Sequence, residues 1–254
     1  MSKLHFAKNN SKDSIPLPKL SYIWAMSIFD DFISLFFPHL CVGCGNQLFK
    51  NEGVICTSCL YKLPKTNFHN HHDNPVMQIF WGRIRLHSAA SFLYFAKKGR
   101  VQHIVHALKY KGRREVGQLM GELYGKDLKS SELFNSVEVI IPVPLHWKKQ
   151  KKRGFNQSEI FGKGLARSMN AILDTQSLYR HVDTETQTRK SRIKRWENVK
   201  EVFAVKNENL LEGRHILLVD DVITTGATLE ASATKLLEIP GVKVSVASIA
   251  FANQ

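Results

Sequence analysis

Two adjacent aspartates, Asp220 and Asp221, stand between an apolar run and a loop of small hydroxyl residues in GRHILLVDDVITTGAT, positions 213–228. That order of residue types can hold a phosphorylated sugar. A helix predicted from Ala227 through LEASATKLLE offers unpaired backbone N–H groups in its first turn, and its dipole favours an anion there. Thr224, Thr225 and Thr228 add hydroxyl donors, and Gly226 allows close backbone approach or a positive φ. Two carboxylates would repel a phosphate, so Asp220 and Asp221 fall to the hydroxyls of the attached sugar. The implied ligand is a ribose 5-phosphate held over 220–228. The plain alternative is an Asp-Asp pair opening a solvated turn, with the threonines capping a helix.

The elements that must position this site are read from periodicity. Ile216–Val219 is a β-branched and leucine run without polar alternation, as in a strand covered on both faces of a parallel sheet. The aspartates then fall at its carboxyl end, where open α/β sheets bind ligands. A second such strand, Val137–Val143, runs into Pro142-Val-Pro144-Leu-His146-Trp147, where the prolines stop the pairing. KKQKKRGFNQSE follows, with Lys148, Lys149, Lys151, Lys152 and Arg153 in one cluster. We read it as a loop: a mobile lid over a pyrophosphate, a groove tracking a single nucleic-acid strand with Phe155 stacked on a base, or a plain solvated loop. A helix over about 158–170 comes next. Arg180–Phe203 forms a second basic segment containing Arg189, Arg192 and Arg195, and strands are expected over 202–205 and 242–251. Upstream, 83–95 reads as a hairpin or edge strand, and 101–110 and 116–128 read as helices. Alternating strands and helices make a parallel α/β sheet.

All four cysteines lie in Cys41-Val-Gly-Cys44 and Cys56-Thr-Ser-Cys59, two C-x-x-C pairs eleven residues apart. Four thiolates from two tight turns can close a tetrahedral zinc site with no open position, which makes it structural. Two disulfides are the alternative, disfavoured by the absence of a secretory leader pattern and of further cysteines. His39, His69, His71 and His72 lie nearby, and HNHHD reads as a polar loop.

The 254 residues are 43% hydrophobic with a formal net charge of +14, which excludes a disordered chain and favours a polyanionic partner or phosphorylated ligands. We divide the chain into a disordered tail over 1–20, a helix and zinc ribbon over 21–75, and a larger domain over 76–254. The apolar stretch 22–37 is interrupted by Asp30 and Asp31 and is too short to span a bilayer. It reads as a packed amphipathic helix, with attachment to a membrane surface as the alternative. A cytoplasmic protein is expected.

VDDVITTGAT resembles the phosphoribosyl pyrophosphate (PRPP) signature of the type I phosphoribosyltransferase fold. The resemblance implies that Asp220 and Asp221 hold the ribose hydroxyls directly or through Mg²⁺, and that Thr224 to Thr228 hold the 5-phosphate. Members that recognise hypoxanthine or guanine carry an aspartate where this chain has Thr224, so that subclass is disfavoured. The zinc-ribbon cysteines, LKYKGR, PVPLHWKKQKKRGFNQSE, RKSRIKRWENVKEVF and VDDVITTGAT, in that order, resemble the ComF family of phosphoribosyltransferase-like proteins. That resemblance implies a part in DNA uptake during natural transformation, with uptake-machinery proteins as partners. It makes His146, Lys152, Arg153, Asn156 and Gln157 candidates for contacting the diphosphate or a second substrate. On the DNA-binding reading, Lys148 to Arg153, Phe155, Arg189, Arg192 and Arg195 hold single-stranded DNA. On the transferase reading, Asp220, Asp221, Lys152 and Arg153 carry catalysis toward an acceptor the sequence does not name.

Overall fold

The computed structural model describes residues 38–180 and 202–252. The expected tail, the apolar stretch 22–37 and the cations Arg189, Arg192 and Arg195 lie outside the described residues. The described residues from Cys41 onward form one compact unit, centred on a parallel sheet of order β1-β7-β6-β2-β3. Its strands are β1 (Ser88–Tyr94), β2 (Val139–Pro142), β3 (Ile172–Leu173), β6 (His215–Ile223) and β7 (Lys243–Phe251). A separate antiparallel pair, β4 (Leu178–Arg180) with β5 (Phe203–Val205), stands apart from that sheet. The α/β parallel architecture is as the alternation of elements predicts.

Ile216, Leu217, Leu218 and Val219 are fully buried, so the unalternating run does sit mid-sheet, between β2 and β7. The strand is longer than its apolar core suggests. On the β2 side the last pair is Pro142↔Val219, closed by the Val143 N–H on the Val219 carbonyl (2.9 Å). On the β7 side it continues to Ile223↔Phe251. The aspartates are therefore at the end of the strand toward β2 and still inside it toward β7. The segment 83–95 is an edge strand and not a hairpin: β1 runs parallel to β7, and its outer edge is covered by 64–66 through Thr66 N–H to the Phe92 carbonyl (3.0 Å) and Tyr94 N–H to that of Pro64 (2.9 Å). Inside the sheet, the hydroxyls of Ser88 and Ser245 pair at 2.8 Å and those of Ser91 and Ser248 at 2.6 Å, so four buried serines satisfy one another.

The helices are α1 (Thr57–Tyr61), α2 (Pro75–Gln78), α3 (Arg100–Tyr110), α4 (Arg114–Lys129), α5 (Trp147–Arg153), α6 (Gln157–Met169) and α7 (Ala227–Leu237). Helix α3 buries Val101, Ile104, Val105 and Leu108, the spacing of one helical face. Helices α4 and α6 pack backbone to backbone. A Cβ built on Gly121 would stand 2.2 Å from the Phe161 carbonyl oxygen, and one on Gly164 2.2 Å from that of Gln118. The basic stretch expected as a loop is the short helix α5, capped by His146, whose Nδ1 accepts from the Lys148 N–H (3.2 Å), and ended by Gly154 at φ 77°. None of its residues is buried. Among the described residues no helix is long and apolar enough to cross a membrane.

Candidate phosphate and sugar site

The connection after β2 leads outward to β3, whereas that after β6 leads the other way, to β7. The crevice between their carboxyl ends is thus the switch point at which open α/β sheets bind ligands. Asp220 and Asp221 stand on its β6 wall. Asp220 Oδ1 accepts from the Ser158 hydroxyl (2.8 Å), in the first turn of α6, and from the Asp221 N–H (2.8 Å). Its other oxygen has no protein donor among the described residues. Asp221 is buried, and its Oδ1 meets Lys109 Nζ from α3 at 2.8 Å. Withdrawal from water, then the Asp221 charge, push the Asp220 carboxyl up to about 7, against the opposing Ser158 hydroxyl, Asp221 N–H and Lys109. A hard-oxygen pair of this kind suits Mg²⁺, with Asp220 and Asp221 as the groups that would hold it.

Beyond β6, Thr224 and Thr225 are exposed and Gly226 caps α7 at φ 72°. A Cβ on Gly226 would meet Ile79 and Phe80 at 2.9 Å, so both conformation and packing require glycine. Arg83 braces this loop from outside the motif: its Nη1 donates to the carbonyls of Thr225 and Ile79 (3.1 Å each), and its Nη2 pairs with Glu230. Thr228 and Ala227 are exposed in the first turn of α7. Lys109 and Arg83 were not read from the sequence. LKYKGR carried the first unremarked, and nothing in the linear order ties Arg83 to a loop 142 residues away.

The β2 side corrects three expectations. Phe155 is buried at 8% exposure under the Arg114 guanidinium, 4.7 Å from its ring centroid, so it cannot stack on a base. Asn156 is also buried; its amide donates to the Val143 carbonyl (2.9 Å) while its Oδ1 caps α6 at the Ser158 N–H (3.1 Å). Gln157, likewise buried, accepts from Arg153 Nη1 at 2.6 Å. The Asn156 amide thus orders the backbone entering α6, and Gln157 holds the Arg153 guanidinium. Lys148, Lys149, Lys151 and Lys152 are exposed and have no carboxylate partner among the described residues.

The four cysteine sulfurs lie within 4.8 Å of one another, and Cys44 Sγ to Cys56 Sγ is 3.8 Å. Zinc–sulfur bonds of about 2.3 Å in a tetrahedron give edges of about 3.8 Å, so the set fits a metal such as zinc. Burial tends to raise the Cys41 thiol, but N–H groups of Cys56, Cys44 and Gly43 outweigh it and bring it to about 7, while burial and the other thiols push Cys59 up to about 12. Four thiolates this close together would need a cation among them. One histidine reading changes. His69 is buried in a 3-10 turn with Nδ1 unpartnered among the described residues. His103 has its Nδ1 3.1 Å from the Gly43 carbonyl, tying α3 to the cysteine turn.

Residues 156–254 match the family model of the phosphoribosyl transferase domain. With the parallel sheet and the acidic loop at its switch point, the chain has the type I phosphoribosyltransferase fold. Among curated proteins it is 32% identical over 146 residues to the DNA utilization protein YhgH of Escherichia coli O157:H7, covering 56% of this chain and 63% of that one. It is 36% identical over 119 residues to the Competence protein F of Haemophilus influenzae (46% and 52% covered) and 37% over 110 residues to the Competence protein ComFC of Bacillus subtilis (43% and 42%). The matches span less than two thirds of each relative. They bear out the ComF-family resemblance carried by the ordered motifs.

Proposed function

We propose that this protein binds PRPP, or a related ribose 5-phosphate ligand, with Mg²⁺ at Asp220–Thr228, holds single-stranded DNA on its basic α5 face, and acts in the cytoplasm in DNA uptake. The observation that carries the reading is the pairing of an acidic β6 end with a glycine–threonine turn whose Thr224 and Thr225 are exposed at the switch point. The carboxylates suit ribose hydroxyls, and the α7 N-terminus with its threonines suits the 5-phosphate. Bound Mg²⁺ would supply charge neutralisation for the diphosphate. The names of the competence relatives support the uptake role, and the cysteine set supports a structural zinc. On this reading the zinc module ends near residue 75 and the ligand-binding domain occupies 76–254, with uptake-machinery proteins as partners.

The second reading is a phosphoribosyl transfer from PRPP to an acceptor, with Lys152 and Arg153 neutralising the leaving pyrophosphate. Calorimetric titration with PRPP and Mg²⁺ tests the binding claim. Each of Asp220→Asn and Asp221→Asn should weaken binding about tenfold or more, since a hydrogen bond to a charged group contributes about 1.5–3 kcal/mol. Unchanged affinity in the double variant would sink the assignment. Pyrophosphate release in the presence of candidate acceptors decides between binding and transfer.

A further inference from the structure

A cleft of about 230 Å³ opens beside the carboxyl end of β2, on the side facing β4 and away from β6, with Pro142, Leu178, Trp147, Tyr179, Glu159 and Arg180 among its lining. Two of its aromatics reach solvent: Trp147 is 50% and Tyr179 39% exposed. Trp147 is the first residue of α5, stacked on His146 (5.9 Å between centroids) with Lys148 Nζ 5.4 Å from its ring. Arg180 is half-buried over the Phe203 ring, 5.5 Å away, and has no carboxylate partner among the described residues. Withdrawal from water lowers its pKa below the usual guanidinium value, a cost that a phosphate beside it would offset. The positive field reaches the cleft mouth, where burial, Arg180, Lys148 and Lys149 together push His146 down. Glu159, the carboxylate in the lining, is paired with Lys163 at 2.9 Å. The ligand this combination suits has a flat apolar face and an attached anion.

We propose that this cleft receives one unstacked base of the DNA strand, on the faces of Trp147 and Tyr179, with Arg180 on its phosphate and the α5 lysines on the neighbouring phosphates. The assignment rests on the single-stranded DNA reading above and supplies the stacking platform that buried Phe155 cannot. A strand is favoured over a free nucleotide because Lys149, Lys151 and Lys152 continue the positive surface past the cleft along α5, beyond the reach of a single phosphate.

Binding of a short oligothymidylate and of an abasic strand of equal length, measured by fluorescence anisotropy at fixed salt, separates base from backbone. The wild type should prefer oligothymidylate by about tenfold, the effect of stacking one base. Trp147→Ala should erase that preference while keeping the abasic affinity, and Trp147→Phe should restore most of it. Equal preference in Trp147→Ala and wild type, or no preference in the wild type, overturns the cleft assignment. Thymidine monophosphate binding as tightly as the oligonucleotide would also overturn it, by making this a mononucleotide site. The underlying reading is tested apart: Lys151→Ala/Lys152→Ala/Arg153→Ala should weaken both strands equally and keep the preference, whereas wild-type affinity in that variant removes the DNA role of α5 itself.

Discussion

At β2 and at β6 the chain leaves the same edge of one sheet, and the two exits are built from opposite charges. The β6 exit is acidic and stays in the strand for four residues beyond the pairing with β2, ending in a glycine turn whose shape is set by its own backbone and by Ile79 and Phe80. The β2 exit is basic and stops at proline, and it places its cations on a helix of seven residues with no buried side chain. A small ligand with fixed stereochemistry needs the first kind of wall. A polymer bound through many equivalent phosphates needs only the second.

The largest expected effect comes from the cysteine set, which touches the β6 exit through α3: His103 meets the Gly43 carbonyl at one end and Lys109 meets Asp221 at the other. Structural zinc sites contribute about 10–16 kcal/mol of apparent binding energy. Elemental analysis should find one zinc per chain. Its removal by chelator, or Cys56→Ser, should unfold the cysteine turns and abolish PRPP binding by calorimetry. Retained PRPP affinity in a zinc-free protein would separate the two sites.

Next in size, replacing Lys151, Lys152 and Arg153 with alanine should lower DNA affinity about twentyfold at low salt and flatten the log–log salt dependence by about two units, one phosphate contact contributing roughly 0.7 on single strands. PRPP affinity should stay at the wild-type level if the exits are independent. A parallel loss of PRPP would instead make α5 the lid over its pyrophosphate.

Gly226→Ala tests the rigid wall. Positive φ and contact with Ile79 and Phe80 should together cost about 1–3 kcal/mol of folding stability, read from denaturant unfolding. The last effect has the opposite sign. Because folding raises the Asp220 pKa from 3.8 to about 7, its contribution to stability is complete below the unfolded value and is lost as pH rises through about 7. Asp220→Asn should therefore stabilise the protein at pH 8, with the gain vanishing toward pH 4, while PRPP binding weakens. Wild-type PRPP affinity should fall as pH drops below about 7.

What was legible in the sequence was local. Asp220 to Thr228 could be read because strand, turn and helix start lie within one stretch, and the cysteines because two short turns define four ligands. What was missed depends on distant contacts. Phe155 looks exposed in a run of lysines, yet it is buried beneath Arg114, from the start of α4. Lys148–Arg153 has no apolar stripe, so periodicity could not show its helix; His146 and Gly154 were the available signals. Arg83 and Lys109 join the site only through the packing of α2 and α3.

The glycine seam between α4 and α6 has a consequence for how the sugar site meets its ligand. With Gly121 and Gly164 each against the other helix's backbone, α6 has little room to slide or roll. Its first turn is held in register with β6, with the Ser158 hydroxyl on Asp220 at 2.8 Å. The carboxylate wall is thus preorganised, and a ribose phosphate arriving there is spared the entropy of ordering it.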